Sequence, residues 1–231
     1  MSGSPQQGDL AEEERRAAIP ITVVDLGLGN LGSVLEALRR AGGAPVLSAN
    51  PFEIASAPRI LVPGVAAFGL GMERAGEVGL GPALRGALDR SAPVLGICLG
   101  MQILFEEGDE DGTREGLGLF PGRVTKLPKD VPQPHIGWQR LLPRHPSPLL
   151  PLQPGAEGPW TYFAHSYRCE APAEVIAATV EHGPAGGPPV SIAAVVSKGT
   201  LHGAQFHPEK SARGGFDLLS RFLALPAGAR S

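Results

Sequence analysis

Pro93-Val94-Leu95-Gly96-Ile97-Cys98-Leu99-Gly100-Met101-Gln102 is the stretch that decides the fold. An apolar, β-prone run stops at a cysteine with a glycine two residues before it and another two residues after. A helix-prone run, residues 101–107, follows at once. Strand, nucleophile, helix is the order of a nucleophile elbow, with cysteine where serine stands in G-x-S-x-G. Such a turn presses backbone against backbone, so both flanking positions need small residues. It also sets the thiol at the positive end of a helix, which favours the reactive thiolate. The Leu99 amide N–H then points to where an oxyanion develops. Taken alone, the ten residues also fit a buried structural cysteine at a strand end.

A thiol nucleophile needs a base. Gly203-Ala204-Gln205-Phe206-His207-Pro208-Glu209-Lys210 ends another apolar strand candidate far downstream. His207 can accept the thiol proton, and Glu209 can hold the imidazole in one tautomer and stabilise the imidazolium. Pro208 between them fixes one backbone angle and stops the strand. A lone histidine is ordinarily structural or solvated. His-Pro-Glu at a strand end, in a chain that also carries a cysteine elbow, is far more specific. In a Cys…His…Glu triad of this order, geometry rather than chain neighbourhood does the assembly.

Composition sets bounds. At 231 residues the chain is long enough for one sizeable α/β domain, and its 42% hydrophobic content is ordinary. A net charge of −3 gives no basic footprint, so neither nucleic acid nor an anionic membrane is expected as a partner. The only cysteines are Cys98 and Cys169, too few for a disulfide framework and suited to a reducing cytoplasm. Cys169 has the default reading of a structural cysteine. No Cys/His cluster has metal spacing, no cofactor is expected, and no apolar run approaches ~18 residues. Residues 1–18 are polar and acidic without an apolar core, so they read as a disordered tail rather than a secretory signal. The domain is expected over residues 19–226.

Alternation of strand and helix signals predicts an α/β sheet. Strands are expected at 21–25, 46–48, 59–62 and 93–97, with helices from the Asn30 cap to residue 40 and over 82–90. Residues 128–159 carry nine prolines and are expected to form loops around short edge strands. Residues 175–181, 190–196 and 200–206 read as strands of a more antiparallel half, and 213–225 as a closing helix. Gly27-Leu28-Gly29-Asn30-Leu31-Gly32 satisfies G-x-G-x-x-G, with Glu53 about 20 residues on. Beside the cysteine motif, it reads instead as a tight βα turn near the mouth of the site.

The cysteine and histidine motifs together resemble those of the class I (triad) glutamine amidotransferases. Further stretches narrow the resemblance to the glutaminase subunits of imidazole glycerol phosphate synthases, over about residues 21–225. They are Pro63-Gly64-Val65-Ala66-Ala67-Phe68, Asp25-Leu26-Gly27-Leu28-Gly29-Asn30-Leu31, His135-Ile136-Gly137-Trp138-Gln139 and Tyr162-Phe163-Ala164-His165-Ser166-Tyr167. The resemblance implies a three-layer fold, with a mixed, mostly parallel central sheet flanked by helices and a nucleophile elbow. It implies L-glutamine as substrate, hydrolysed to glutamate and ammonia through a thioester on Cys98. The oxyanion would be met by Leu99 and the Gly64-Val65 loop. Ala66, Gln102, His165, Ser166, Tyr167 and Glu110 are expected at the substrate. His165 is read as a positioning residue rather than a base, and a solvated surface glutamate is the alternative for Glu110.

Free ammonia in water is mostly ammonium, so a synthase must shield it on the way to its acceptor. The motifs span nearly the whole sequence, which implies an acceptor site on a partner chain. The resemblance makes that partner a (β/α)8-barrel cyclase subunit in a cytoplasmic heterodimer of histidine biosynthesis. Asn30 and Trp138 are expected at the interface, with a plain packing tryptophan as the alternative for Trp138. Rival readings are the glutaminase of another ammonia-channelling synthase, a stand-alone γ-glutamyl hydrolase-like enzyme, and an inactive scaffold subunit. Departures from the family pattern are Ala66, where the loop ordinarily has glycine, Leu26 for tyrosine and Gln139 for asparagine.

Overall fold

The first strand, β1 (Ile19–Val24), leads through residues 25–30 into α1 (Leu31–Arg40), β2 (Gly43–Ser48), α2 (Pro51–Ser56) and β3 (Ile60–Val62). Two helices, α3 (Phe68–Val78) and α4 (Leu80–Asp89), precede β4 (Val94–Ile97) and the short α5 (Leu99–Gln102). A long β-rich section follows: β5 (Phe105–Gly108), β6 (Arg114–Glu115), β7 (Phe120–Lys126), β8 (His135–Arg140), β9 (Leu142–Pro143), β10 (Trp160–His165) and β11 (Tyr167–Glu170). The chain closes with β12 (Ile176–His182), β13 (Val190–Lys198), β14 (Leu201–Ala204) and α6 (Ala212–Ala224). This computed structural model describes residues 18–184 and 186–227; the tail expected over residues 1–18 lies, but for its last residue, outside the described residues.

Eight strands form the central sheet in the order β2-β1-β3-β4-β14-β13-β12-β9. The first five are parallel and the last three antiparallel. Strand residues alternate between the two faces. Leu61, Leu95 and Ile97 join α1 and α6 residues such as Leu38, Leu219 and Phe222 on one side. Ile60, Val62 and Val94 join Ile54, Phe68 and Leu84 of α2, α3 and α4 on the other. The expected three layers and mostly parallel sheet are therefore present. The proline-rich segment contributes loops around β8 and the edge strand β9, as expected.

Three differences from the sequence reading have physical reasons. The helix after Cys98 stops at Gln102 instead of running to 107. Residues 105–108 become a strand paired with β7 and β6, and Phe105 is fully buried, stacked on Phe120 at 5.4 Å. Burying a phenylalanine gains about 2–3 kcal/mol, whereas the helix preference of Glu106 and Glu107 is worth tenths. Helix α3 is not legible because glycines at 69, 71 and 76 lower helix propensity; its buried stripe of Phe68, Gly71 and Ala75 holds it on the sheet. Two satellite sheets, β11-β7-β5-β6 and β10-β8, flank the site and were not foreseen.

Candidate active site

Cys98 joins β4 to α5 with φ 52° and ψ −111°, a strained conformation for a residue with a side chain. The elbow permits nothing larger than glycine beside it. A Cβ on Gly96 would lie 2.5 Å from the Gly100 carbonyl oxygen, and one on Gly100 would overlap the Val62 carbonyl. The close backbone packing inferred from the sequence is thus what places the thiol. The first-turn amides of α5 have no partner inside the helix, which leaves the Leu99 N–H free for an oxyanion. With only four residues, α5 contributes a weak dipole. The stronger electrostatic partner of the sulfur is His207.

His207 follows β14, the neighbour of β4 in the sheet, so parallel pairing brings it to the elbow. Its Nδ1 lies 2.9 Å from Glu209 Oε1. The carboxylate can only accept, so Nδ1 carries the proton and Nε2 is the atom available to the Cys98 sulfur. Burial opposes charging this ring, but hydrogen bonds to Cys98 and Glu209, with their charges, outweigh it and raise its pKa to about 9. Both His207 and Glu209 side chains are almost wholly buried. The 3-10 turn over Pro208–Lys210 lets two side chains two residues apart meet.

A cavity of about 480 Å3 opens over the sulfur. Its lining includes Val65, Ala66, Cys98, Leu99, Gln102, Glu110, His165, Ser166 and Tyr167, which brings all six expected substrate residues to one place. Gly64 stands behind, packed against Leu99, and with Val65 borders a smaller cavity of about 70 Å3. That second space is also lined by Asn30, His207, Glu209 and Lys210. Asn30 caps α1 as expected, its side chain accepting from the Ser33 N–H at 3.4 Å. The glycine-rich turn before it packs on the loop: a Cβ at Gly29 would meet Val65 at 3.1 Å. Glu53, which follows the glycine motif at the spacing of a dinucleotide-binding acid, instead accepts a hydrogen bond from Ser48 at 2.6 Å.

Three residues have roles that sequence did not show. Glu110 accepts from the Phe68 N–H at 2.6 Å and so caps α3, which has no side-chain cap of its own. It anchors the end of the 63–68 loop while lining the larger cavity. Gln102 borders the cavity, but its amide is turned inward, donating to the Tyr167 carbonyl at 3.2 Å and to Gln205 Oε1 at 3.1 Å. Gln102 thus stands at the substrate cavity, as expected, with its amide nitrogen engaged by the protein. Gln205, absent from the sequence-based candidates, donates to Cys98 Sγ at 3.8 Å. The i, i+2 rule for extended chain was the available signal, since it puts Gln205 on the side of His207.

His165 belongs to a buried histidine group. Its Nδ1 donates to the Tyr167 carbonyl at 2.8 Å, so its Nε2 accepts from His135 Nδ1 at 3.0 Å. His135 stacks on His182, which donates to the Pro132 carbonyl at 2.7 Å. Burial lowers the pKa of His135 to about 3 and of His165 to about 4, each helped by neighbouring histidines. His165 is therefore neutral, with both ring nitrogens occupied, which suits positioning and not proton transfer.

Beside the cavity mouth, β8 and β10 present an outward face. Ile136, Trp138 and Trp160 are exposed, and Trp138 meets Tyr162 edge-on at 6.0 Å. Leu26, by contrast, is buried in the core. Among the described residues, no group of His, Cys, Asp or Glu is arranged to hold a metal ion.

The Glutamine amidotransferase class-I family matches residues 22–224, and the chain belongs to that class. Solved structures with the same fold include PurLQS from Thermotoga maritima (TM-score 0.68, 19% identity, 90% of this chain and 98% of that one). The glutaminase domain of Trypanosoma brucei CTPS is another (TM-score 0.60, 15% identity, 92% and 96%). Within the class, the chain belongs to the family of imidazole glycerol phosphate synthase subunit HisH. It is 44% identical to that subunit of Symbiobacterium thermophilum over 203 residues, covering 87% of this chain and 92% of the relative. It is 39% identical to the Bacillus subtilis subunit over 214 residues, covering 90% and 97%.

Proposed function

We propose that the chain is the glutaminase subunit of an imidazole glycerol phosphate synthase, hydrolysing glutamine to glutamate and ammonia. The observation that carries this reading is the strained Cys98, which lines a cavity of about 480 Å3 and has the buried His207–Glu209 pair behind it. His207 takes the thiol proton through Nε2, and the thiolate attacks the side-chain amide carbon. The Leu99 N–H and an N–H of the Gly64-Val65 loop meet the oxyanion. The imidazolium then gives its proton to the leaving nitrogen, which departs as ammonia and leaves a glutamyl thioester on Cys98. His207 next deprotonates a water, which releases glutamate and restores the thiol. Ser166 and Tyr167, with Ala66 and Glu110, border the space for the substrate's α-amino and carboxylate groups.

The ammonia passes to a partner subunit, which we take to be a (β/α)8-barrel cyclase that builds it into imidazole glycerol phosphate. The exposed apolar face of β8 and β10, with Trp138, and the Asn30 side of the smaller cavity are the surfaces proposed for contact. Among the described residues no helix is long and apolar enough to cross a membrane, and both cysteines are free; we assign the reaction to the cytoplasm.

The test is co-purification with candidate cyclase subunits, followed by a glutaminase assay with and without the cyclase's acceptor substrate. Glutamate release that depends on Cys98 and rises on adding partner and acceptor is expected. Fast release by the uncomplexed chain, indifferent to any cyclase, points to a stand-alone hydrolase instead.

A further inference from the structure

We propose that Gln205 is a positioning residue for the nucleophile: its side-chain amide holds the Cys98 sulfur and ties it, through Gln102, to the wall of the substrate cavity. It can act in this way only if Cys98 is the acylated nucleophile proposed above. Gln205 is fully buried just beyond β14, with its backbone N–H bonded to the Ala194 carbonyl at 3.0 Å. Its Nε2 lies 3.8 Å from Cys98 Sγ. Its Oε1 lies 3.1 Å from Gln102 Nε2 and 4.0 Å from Cys169 Sγ.

Hydrogen-bond valence sets the direction of every amide in this chain of contacts. The Tyr167 carbonyl can only accept, so the atom of Gln102 that faces it at 3.2 Å is nitrogen. The second N–H of that nitrogen reaches Gln205, so the Gln205 atom it meets is oxygen. Cys169 stands against the same oxygen; burial raises its pKa well above the ordinary thiol range, so it remains an S–H donor. Both lone pairs of Gln205 Oε1 are then filled, and its NH2 is turned to Cys98. The Tyr167 carbonyl is saturated too, by Gln102 and by His165 Nδ1 at 2.8 Å. None of these amides can flip without leaving a buried polar atom unpaired, which is the costly outcome. An N–H facing sulfur favours the thiolate over the thiol. Cys169, a structural cysteine by default, thereby acquires the task of orienting Gln205.

The experiment uses the full chain and the variants Gln205→Leu and Gln205→Glu. Cys98 alkylation by iodoacetamide is followed across pH, with the site located by peptide mass spectrometry, alongside thermal unfolding and glutaminase kcat and KM. In Gln205→Leu the pH midpoint of Cys98 alkylation is expected to rise by about one unit, a tenfold loss of thiolate below the midpoint. The kcat is expected to fall by about the same factor while KM holds. Gln205→Glu keeps the volume and sets a carboxylate beside the sulfur, moving the midpoint further in the same direction; it carries the test should the leucine variant fail to fold. Variants that unfold at lower temperature but share the wild-type midpoint overturn the proposal, since that is what a purely structural glutamine does. If wild-type Cys98 neither alkylates selectively nor supports glutamine hydrolysis, the amidotransferase reading itself fails and takes this role of Gln205 with it.

Discussion

Replacing Glu209 by glutamine isolates the charge that makes His207 a strong base. The substitution keeps the side-chain volume and an oxygen that can accept the Nδ1 proton, and removes only the negative charge. The pair is 2.9 Å apart, with side chains 4% and 7% exposed, so solvent screens it little. A charge-assisted hydrogen bond of this kind is worth about 1.5–3 kcal/mol. At about 1.36 kcal/mol per pH unit, His207 should then titrate about one to two units below its value of about 9. With a pKa of about 9 the ring is already imidazolium near neutrality, paired with the Cys98 sulfur; the same energy weakens that pair against the neutral thiol and imidazole and so lowers kcat by up to about 10- to 150-fold. KM should hold, because Glu209 does not line the larger cavity. NMR titration of the His207 ring and steady-state glutaminase kinetics read the two effects independently. An unmoved titration, with kcat within about threefold of wild type, would mean that Glu209 merely packs.

Ala66 stands exposed in the oxyanion loop, and Ala66→Gly should raise the glutaminase rate of the uncomplexed chain, because glycine tolerates positive φ if the loop peptide flips. An unchanged or lower rate removes the idea. His202 is buried against Phe222, and burial lowers its pKa to about 4 from 6.5. Its unfolded form therefore takes up the proton first, and the stability it supplies near neutrality is lost as pH falls from about 6.5 towards 4. Urea unfolding between about pH 7 and pH 5 should show a loss about 2 kcal/mol smaller in His202→Gln than in wild type, where the buried His135 and His165 add losses of their own; an equal loss in the variant refutes it. Trp138→Ala should weaken association with the proposed partner subunit at least about tenfold without altering the rate of Cys98 alkylation. Unchanged affinity by calorimetry would place the interface elsewhere.

The chain's own order of residues determined the chemistry and the central sheet. Glycines at 96 and 100 around Cys98 demand an elbow because no side chain fits there, and His-Pro-Glu at a strand end demands a turn. Both are short-range constraints, legible over ten residues. The helix capped by Asn30 and the apolar strands were equally plain, since apolar residues recur at helical spacing in the one and run unbroken through buried central strands such as β3 and β4. The fate of residues 101–107 was not: Phe105 leaves the helix for a partner strand whose place depends on the whole β-rich section. The network that aims the nucleophile is more distant still. Gln102 meets Tyr167 across 65 residues and Gln205 meets Cys98 across 107. Only the order of strands in the folded sheet brings these groups within hydrogen-bond reach, and only their saturated valences decide which way each amide faces.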